Sequence, residues 1–222
     1  MTRVPQCSLP SLVLAASLLI LTAPGFSLRA QAPATALCTK AFVEVTPTAP
    51  ACGFSLTEAG KLLKDKRRLA DPLAAGYEEG TRGRRAIAAR KVVLFPPSPS
   101  GRFRILQACD GLGSDALCWS VFAADGKRHI LKKAYAGHYG PLHWQSWSAD
   151  ETHAVLASRS EGASWLHVVD MTSGKSRSFP DETAQVNWTI EPETLRWTGA
   201  RSFVVTAKTC AECPREQQEI RF

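Results

Sequence analysis

The chain carries no catalytic signature. A Gly-x-Ser-x-Gly elbow, a Ser-x-x-Lys pair and a phosphate-binding loop are all missing, so the enzyme classes recognised by those motifs gain no support. Cys210-Ala211-Glu212-Cys213 has no second Cys-x-x-Cys to complete a zinc ribbon. The histidines are His129, His138, His143, His153 and His167, and only His138 and His143 lie close together, with no third ligand at a metal-site spacing. No metal, and no other cofactor, is expected. The densest basic stretch holds Arg82, Arg84, Arg85, Arg90 and Lys91 without interleaved aromatics on which bases could stack, which argues for a solvated linker and against a nucleic-acid partner.

What is present begins with a targeting segment. Arg3 gives a short positive start, residues 12–23 form an apolar stretch, and Pro24-Gly25 breaks it ahead of small residues at Ala30 and Ala32. That stretch falls short of the roughly 20 apolar residues needed to span a bilayer. Residues 1–32 therefore read as a signal peptide. The expected compartment is periplasmic or extracellular, with no stable membrane insertion after cleavage. Loss of Arg3 and Arg29 would lower the formal charge from +7 to +5, a modest and dispersed excess. The rest of the chain is long enough for one domain with a sizeable core.

Residues 33–90 are expected to form a strand followed by an amphipathic helical segment. Residues 40–45 alternate as a strand would and stop at Pro47. Ser55 and Glu58 form a capping-box pattern behind Phe54. Leu56, Ala59, Leu62, Leu63, Leu69 and Ala70 then make one apolar stripe among basic residues, which predicts a helix lying on a sheet. Asp71-Pro72 reads as the start of a second short helix, ending near Gly76 or Gly80. Residues 91–95 read as a buried strand, stopped by Pro96-Pro97.

From residue 91 to 222 the grammar is a register of fifty. Ser98-Pro99-Ser100-Gly101, Trp147-Ser148-Ala149-Asp150-Glu151 and Trp197-Thr198-Gly199-Ala200-Arg201 recur at that spacing, and each precedes a strand-like run. A fixed period of this size marks a repeat architecture of antiparallel hairpins. Trp119 and Trp165 are expected at the same place in their hairpins, and the acidic pairs Asp150 with Glu151 and Asp181 with Glu182 fall at turns. The register also sorts the cysteines. In an exported chain Cys38, Cys52, Cys109, Cys118, Cys210 and Cys213 argue for disulfides. Cys109 and Cys210 close equivalent strands, while Cys118 and Cys213 sit where the next strands should begin. Sequential pairing then staples two hairpins and leaves Cys38 with Cys52.

The run from Trp147-Ser148-Ala149-Asp150-Glu151 through Val168-Val169-Asp170-Met171-Thr172-Ser173-Gly174-Lys175 resembles a blade of the TolB-like, WD-type β-propellers. Ala149 and Glu151 stand where Pro and Gly are usual, and those two residues appear instead as Pro99 and Gly101. The resemblance covers about residues 91 to 222 and implies a mostly β, partial or small propeller-like domain of two full units and a truncated third. Closed propellers need about four to eight blades. Either the N-terminal strands complete the last sheet, or an edge stays open for a cover or a partner.

The function expected from these features is protein binding and not catalysis. An exported, disulfide-stapled module of the inhibitor or immunity type would present loops or a sheet edge to a protein partner. Tyr135, His138, Tyr139, His143 and Trp144, in a Gly- and Pro-broken stretch between units, are the candidate contact residues, because Tyr and Trp combine area with a polar handle. The same aromatics could instead wedge one unit against the next. The alternative is an enzyme or ligand-binding module whose site forms only in three dimensions, from His138, His143, His153, Asp110 and Asp150.

Overall fold

A computed structural model describes residues 38–39, 42–81, 83–136, 142, 144–160, 162–181 and 188–222, although the side chains of Tyr135 and Ala136 stand outside that description. All of these residues belong to the compact unit Ala32–Phe222. The described chain is mostly β and its sheets are antiparallel.

The first sheet has five strands in the order β1-β7-β8-β9-β10, formed by Val43–Val45, Lys91–Leu94, Phe103–Cys109, Ser120–Asp125 and Ile130–Ala136. The second, in the order β11-β12-β13-β14, is formed by Gln145–Trp147, His153–Ser160, Ala163–Asp170 and Ser176–Phe179. The third, β15-β16-β17, is formed by Thr189–Gly199, Ser202–Lys208 and Glu216–Arg221. Two small sheets come from the N-terminal part: β2-β3-β4 (Phe54–Leu56, Leu62–Lys64, Arg67–Ala70) and the ribbon β5-β6 (Ala74–Gly80, Gly83–Ala88).

The apolar residues sort these sheets into layers. Val92, Leu94, Leu106, Ala108 and Phe122 on one face of the first sheet pack with Phe54, Leu56, Leu62, Leu73 and Ala75 of the N-terminal sheets. Phe103, Ile105, Val121 and Ala123 on its other face pack with Ala154, Leu156 and Val169 of the second sheet. Val155, Leu166 and Val168 on the far face of the second sheet meet Ile190, Phe203, Val205 and Ile220 of the third. Because the first sheet is covered on both faces, all of β7 is buried and reads as a continuous apolar run rather than an alternating one. Lys91 at its start is buried too, and its ammonium is held 3.1 Å from Glu44 Oε1 on the neighbouring strand.

The register of fifty has a structural counterpart in two turns. Ser98 N donates to Phe103 O and Ser98 Oγ accepts from Phe103 N; Ser148 and His153 repeat both bonds fifty residues later, at 2.8 to 3.1 Å. Gly101 and Glu151 occupy the same left-handed position, with φ of 73° and 58°. The first sheet pairs Phe103 with Asp125 and the second pairs His153 with Asp170, so the hairpins themselves superpose in register. By that register Trp165, opposite Ser158, is the counterpart of Ser120, opposite Ala108, and not of Trp119. The expected equivalence of the two tryptophans therefore fails by one residue. On a strand of period two such an offset changes the face, and Trp119 lies instead against Gly76 of the ribbon.

The predicted N-terminal helix does not form. Its apolar residues are also compatible with short strands, and the first sheet offers them a flat apolar face. Asp65 and Lys66 take φ of 49° and 65°, which makes a two-residue hairpin turn of the primed kind between β3 and β4. Gly60, at φ 77°, turns the chain between β2 and β3, with Lys61 N donating to Thr57 Oγ1 at 3.0 Å. Asp71-Pro72 is a cis peptide leading into β5, and the expected second helix and basic linker are the two strands of the ribbon. Among the described residues the N-terminal strands leave the third sheet at three strands; β1 joins the first sheet beside β7.

Candidate functional site

The three disulfides are Cys38–Cys52, Cys109–Cys118 and Cys210–Cys213, the pairing expected from the register. Cys109 and Cys118 are fully buried among the side chains between the first and second sheets, whereas Cys210 is exposed in the turn before β17. Disulfides persist in oxidising compartments, so three of them fit a protein outside the cytoplasm. No helix among the described residues is long and apolar enough to cross a membrane.

Of the predicted contact residues, His138, Tyr139 and His143 lie outside the described residues. Tyr135 is in β10 opposite Val121, just after a register shift at Lys133. Trp144 is half-buried and packs with the side chains between the second and third sheets. Leu142 is buried and tied down: its backbone N donates to the side-chain oxygen of Gln107 at 2.9 Å, and Gln107 Nε2 donates to Cys118 O at 2.9 Å. Leu142 and Trp144 are therefore fixed to the sheets.

Against Lys133 of β10 stands a feature that the sequence reads as a linker. The ribbon β5-β6 is anchored at its base, where Ala75 and Gly76 are buried, and from Tyr77 to Arg85 its described residues are exposed. Cross-strand pairs hold it. Glu78 faces Arg85 and Glu79 faces Arg84, each pair in ionic contact, and Gly80 faces Gly83 at the tip. Tyr77 is 40% exposed, with the Arg84 guanidinium 4.8 Å and the Lys133 ammonium 4.2 Å from its ring centre. Lys133 lies on β10, two residues before Tyr135, so the ribbon contacts the strand that carries the first of the predicted contact residues. The clue in the sequence was the opposition of Glu78-Glu79 to Arg84-Arg85 about a glycine-flanked turn.

The residues of the alternative reading take different paths. Asp110 caps its own loop by accepting from Leu117 N at 2.9 Å. Asp150 accepts from Ser148 Oγ, Thr152 N and Thr152 Oγ1 at 2.7 to 3.1 Å, and the Ser148 bond is the main reason its carboxyl titrates below the usual range. His153 Nδ1 is 2.8 Å from Thr152 Oγ1, and burial is the main cause that lowers its pKa. His167, at the centre of β13, is buried, with Ser158 Oγ 2.7 Å from Nε2 and Ser178 Oγ 2.9 Å from Nδ1. Its seat between the first and second sheets makes this trio a buried tie across three strands. Among the described residues, no group of three or more His, Cys, Asp or Glu is placed to hold a metal ion.

Comparisons with known proteins leave the family open. No family model and no curated protein matches the chain. Among solved structures, a chain of the Kuenenia stuttgartiensis hydrazine synthase aligns with a TM-score of 0.32 and 15% identity, over 80% of this chain and 49% of that one. The chain thus spans about half the length of that neighbour.

Proposed function

We propose that this chain is an exported, disulfide-stapled protein-binding module built from propeller-like units, and that the β5-β6 ribbon carries its principal contact. The observation behind this reading is Tyr77. A tyrosine held between two cations on an exposed ribbon offers large, pre-ordered contact area with a free hydroxyl, and Tyr and Arg are the residue types that dominate binding energy at interfaces. A two-stranded ribbon is marginally stable by itself in water. This one is held by ion pairs and ring contacts that serve no packing need of the core. Export and the propeller-like arrangement rest on the apolar N-terminal stretch, the disulfides and the repeated turns.

A photo-crosslinking residue placed at Tyr77 in the full-length protein, expressed in its native envelope, tests the assignment. The expected result is one dominant crosslinked protein at position 77 that is absent when the crosslinker sits at Thr48, an exposed site on the β1-β2 connection. Equal labelling at the two positions, or none at position 77, would overturn it.

A further inference from the structure

The matched registers of the first and second sheets allow their outer junctions to be compared residue by residue. At the first junction Phe103, Asp125, Ile130 and Lys132 meet the turn of the second sheet, and Met171 and Thr172 of that turn fill the space down to about 40 Å³. Lys132 Nζ donates to Thr172 O, and Asp125 is neutralised by Arg102 at 3.0 Å. The same positions at the second junction are His153, Asp170, Lys175 and Arg177, facing Arg201 and Phe222 of the third sheet across a cleft of about 230 Å³.

The two junctions use their cations differently: Arg102 and Arg128 also line the first, and both sit against Asp125, at 3.0 and 3.9 Å. Ile130 becomes Lys175, Lys132 becomes Arg177, and Arg201 is added from the facing turn. Among the described residues none of these three cations is in an ion pair. Asp170 lines the same cleft, but its carboxylate is already used by Thr172 N, Thr172 Oγ1, Ser173 N and Ser173 Oγ at 2.7 to 3.1 Å. Three cations against one ionised carboxylate leave an excess of two positive charges. Phe222 adds an apolar wall, its ring 5.1 Å from that of His153 at an interplanar angle of 65°. Val168 lies at the floor.

We propose that this cleft binds a small phosphate monoester, its dianionic head held by Lys175, Arg177 and Arg201 and its aromatic or aliphatic body set against Phe222 and Val168. The excess of two charges matches a dianion better than a monocarboxylate. Guanidinium groups present paired donors that fit phosphate oxygens. The volume lies below the roughly 300 Å³ at which pockets for drug-sized ligands begin, which selects a single-ring body over a nucleotide. The inference is independent of the ribbon and stands or falls without it.

Titration calorimetry on the full-length mature protein, with phenyl phosphate, inorganic phosphate and benzoate as probes, tests it. Phenyl phosphate is expected to bind most tightly, with affinity falling as salt is added. Arg177→Gln and Arg201→Gln should each weaken it by about tenfold or more, the usual loss of a charged hydrogen-bonding group. Both side chains are exposed, so thermal melting should show the fold retained, and Lys132→Gln at the first junction should leave affinity unchanged. Tightest binding of inorganic phosphate would mean an anion site without the organic subsite. Equal affinities for all three probes, or affinities untouched by the two arginine substitutions, would mean no such site.

Discussion

Ser98 Oγ donates a 2.7 Å hydrogen bond to Glu151 Oε2 across fifty-three residues of chain. Glu151 Oε1 accepts from Ser100 N at 2.7 Å, and Ser100 Oγ also contacts the carboxylate. The turn between β11 and β12 of the second sheet therefore clasps the turn between β7 and β8 of the first. The clasp accounts for the glutamate. Its position needs a left-handed backbone and the equivalent residue is Gly101, yet Glu151 is placed there at φ 58° and its carboxylate spans the junction. Those bonds, Ser100 first, hold its pKa below the ordinary carboxylate value.

Glycine and alanine at position 151 should therefore behave differently. Both Glu151→Gly and Glu151→Ala lose the clasp and leave the buried Ser98 hydroxyl without that acceptor, so both should be less stable than the parent. Alanine in addition keeps a Cβ at positive φ, which costs about 1 kcal/mol more. Urea unfolding should rank parent above glycine above alanine. Equal midpoints for the two variants would show that the backbone at 151 carries no strain.

The same turn shows what could be read from sequence and what could not. Ser98, Gly101, Ser148 and Glu151 were legible as a repeat because a turn's hydrogen-bond pattern is local and fixed by residues within one stretch. The cysteine pairing was legible for the same reason, since each bridge closes a loop or hairpin of neighbouring residues. Residues 54–88 were not. Ser55 with Glu58 satisfies a helix cap locally, and Leu56, Leu62 and Leu63 suit either period. What decides for strands is the apolar face of Leu106, Ala108 and Phe122, distant in sequence. Asp65-Lys66 gave no glycine to mark its hairpin turn. Lys175, Arg177 and Arg201 read as solvated turn charges because their convergence depends on how the second and third sheets meet.

Gly174 and Gly162 separate the cost of backbone strain from that of crowding at a junction. Both take positive φ, at 77° and 83°. A Cβ at Gly174 would stand 2.7 Å from Lys132 Cβ across the first junction, whereas one at Gly162 meets nothing within 4 Å. Gly162→Ala should cost about 1 kcal/mol from strain alone, and Gly174→Ala about 1 to 3 kcal/mol beyond that from overpacking. Chemical denaturation of the two variants side by side measures the difference. A Gly174→Ala protein no less stable than Gly162→Ala would place Lys132 elsewhere.

The disulfides should differ in worth by site. Loop entropy favours Cys38–Cys52, with a separation of 14, over Cys210–Cys213, with a separation of 3; on the chain-entropy model these are about 3 and about 2 kcal/mol. Cys109–Cys118 is intermediate in loop length, but its sulfurs are buried among core side chains, so paired alanine substitution there also removes packing. Melting temperatures of the three double-alanine variants should fall furthest for Cys109 with Cys118 and least for Cys210 with Cys213. The reverse order would mean that the buried bridge adds nothing to the packing between the first two sheets.

His153 should make the protein acid-sensitive. Burial is the main cause holding its pKa below 6.5, opposed by Asp170 and Asp150 and reinforced by Arg201. In the unfolded chain the imidazole titrates near 6.5, so as pH falls the unfolded state takes up the proton first. The stability owed to the neutral imidazole is complete above about pH 6.5 and is lost as pH drops through the lowered folded value. Phe103 fills the matching position in the first sheet, which makes His153→Phe a substitution the register already accommodates. Urea midpoints measured from about pH 7.5 down to about pH 5 should fall more steeply for the parent than for His153→Phe. Parallel profiles would show that His153 keeps its ordinary pKa in the fold and that the acid limb belongs to other groups.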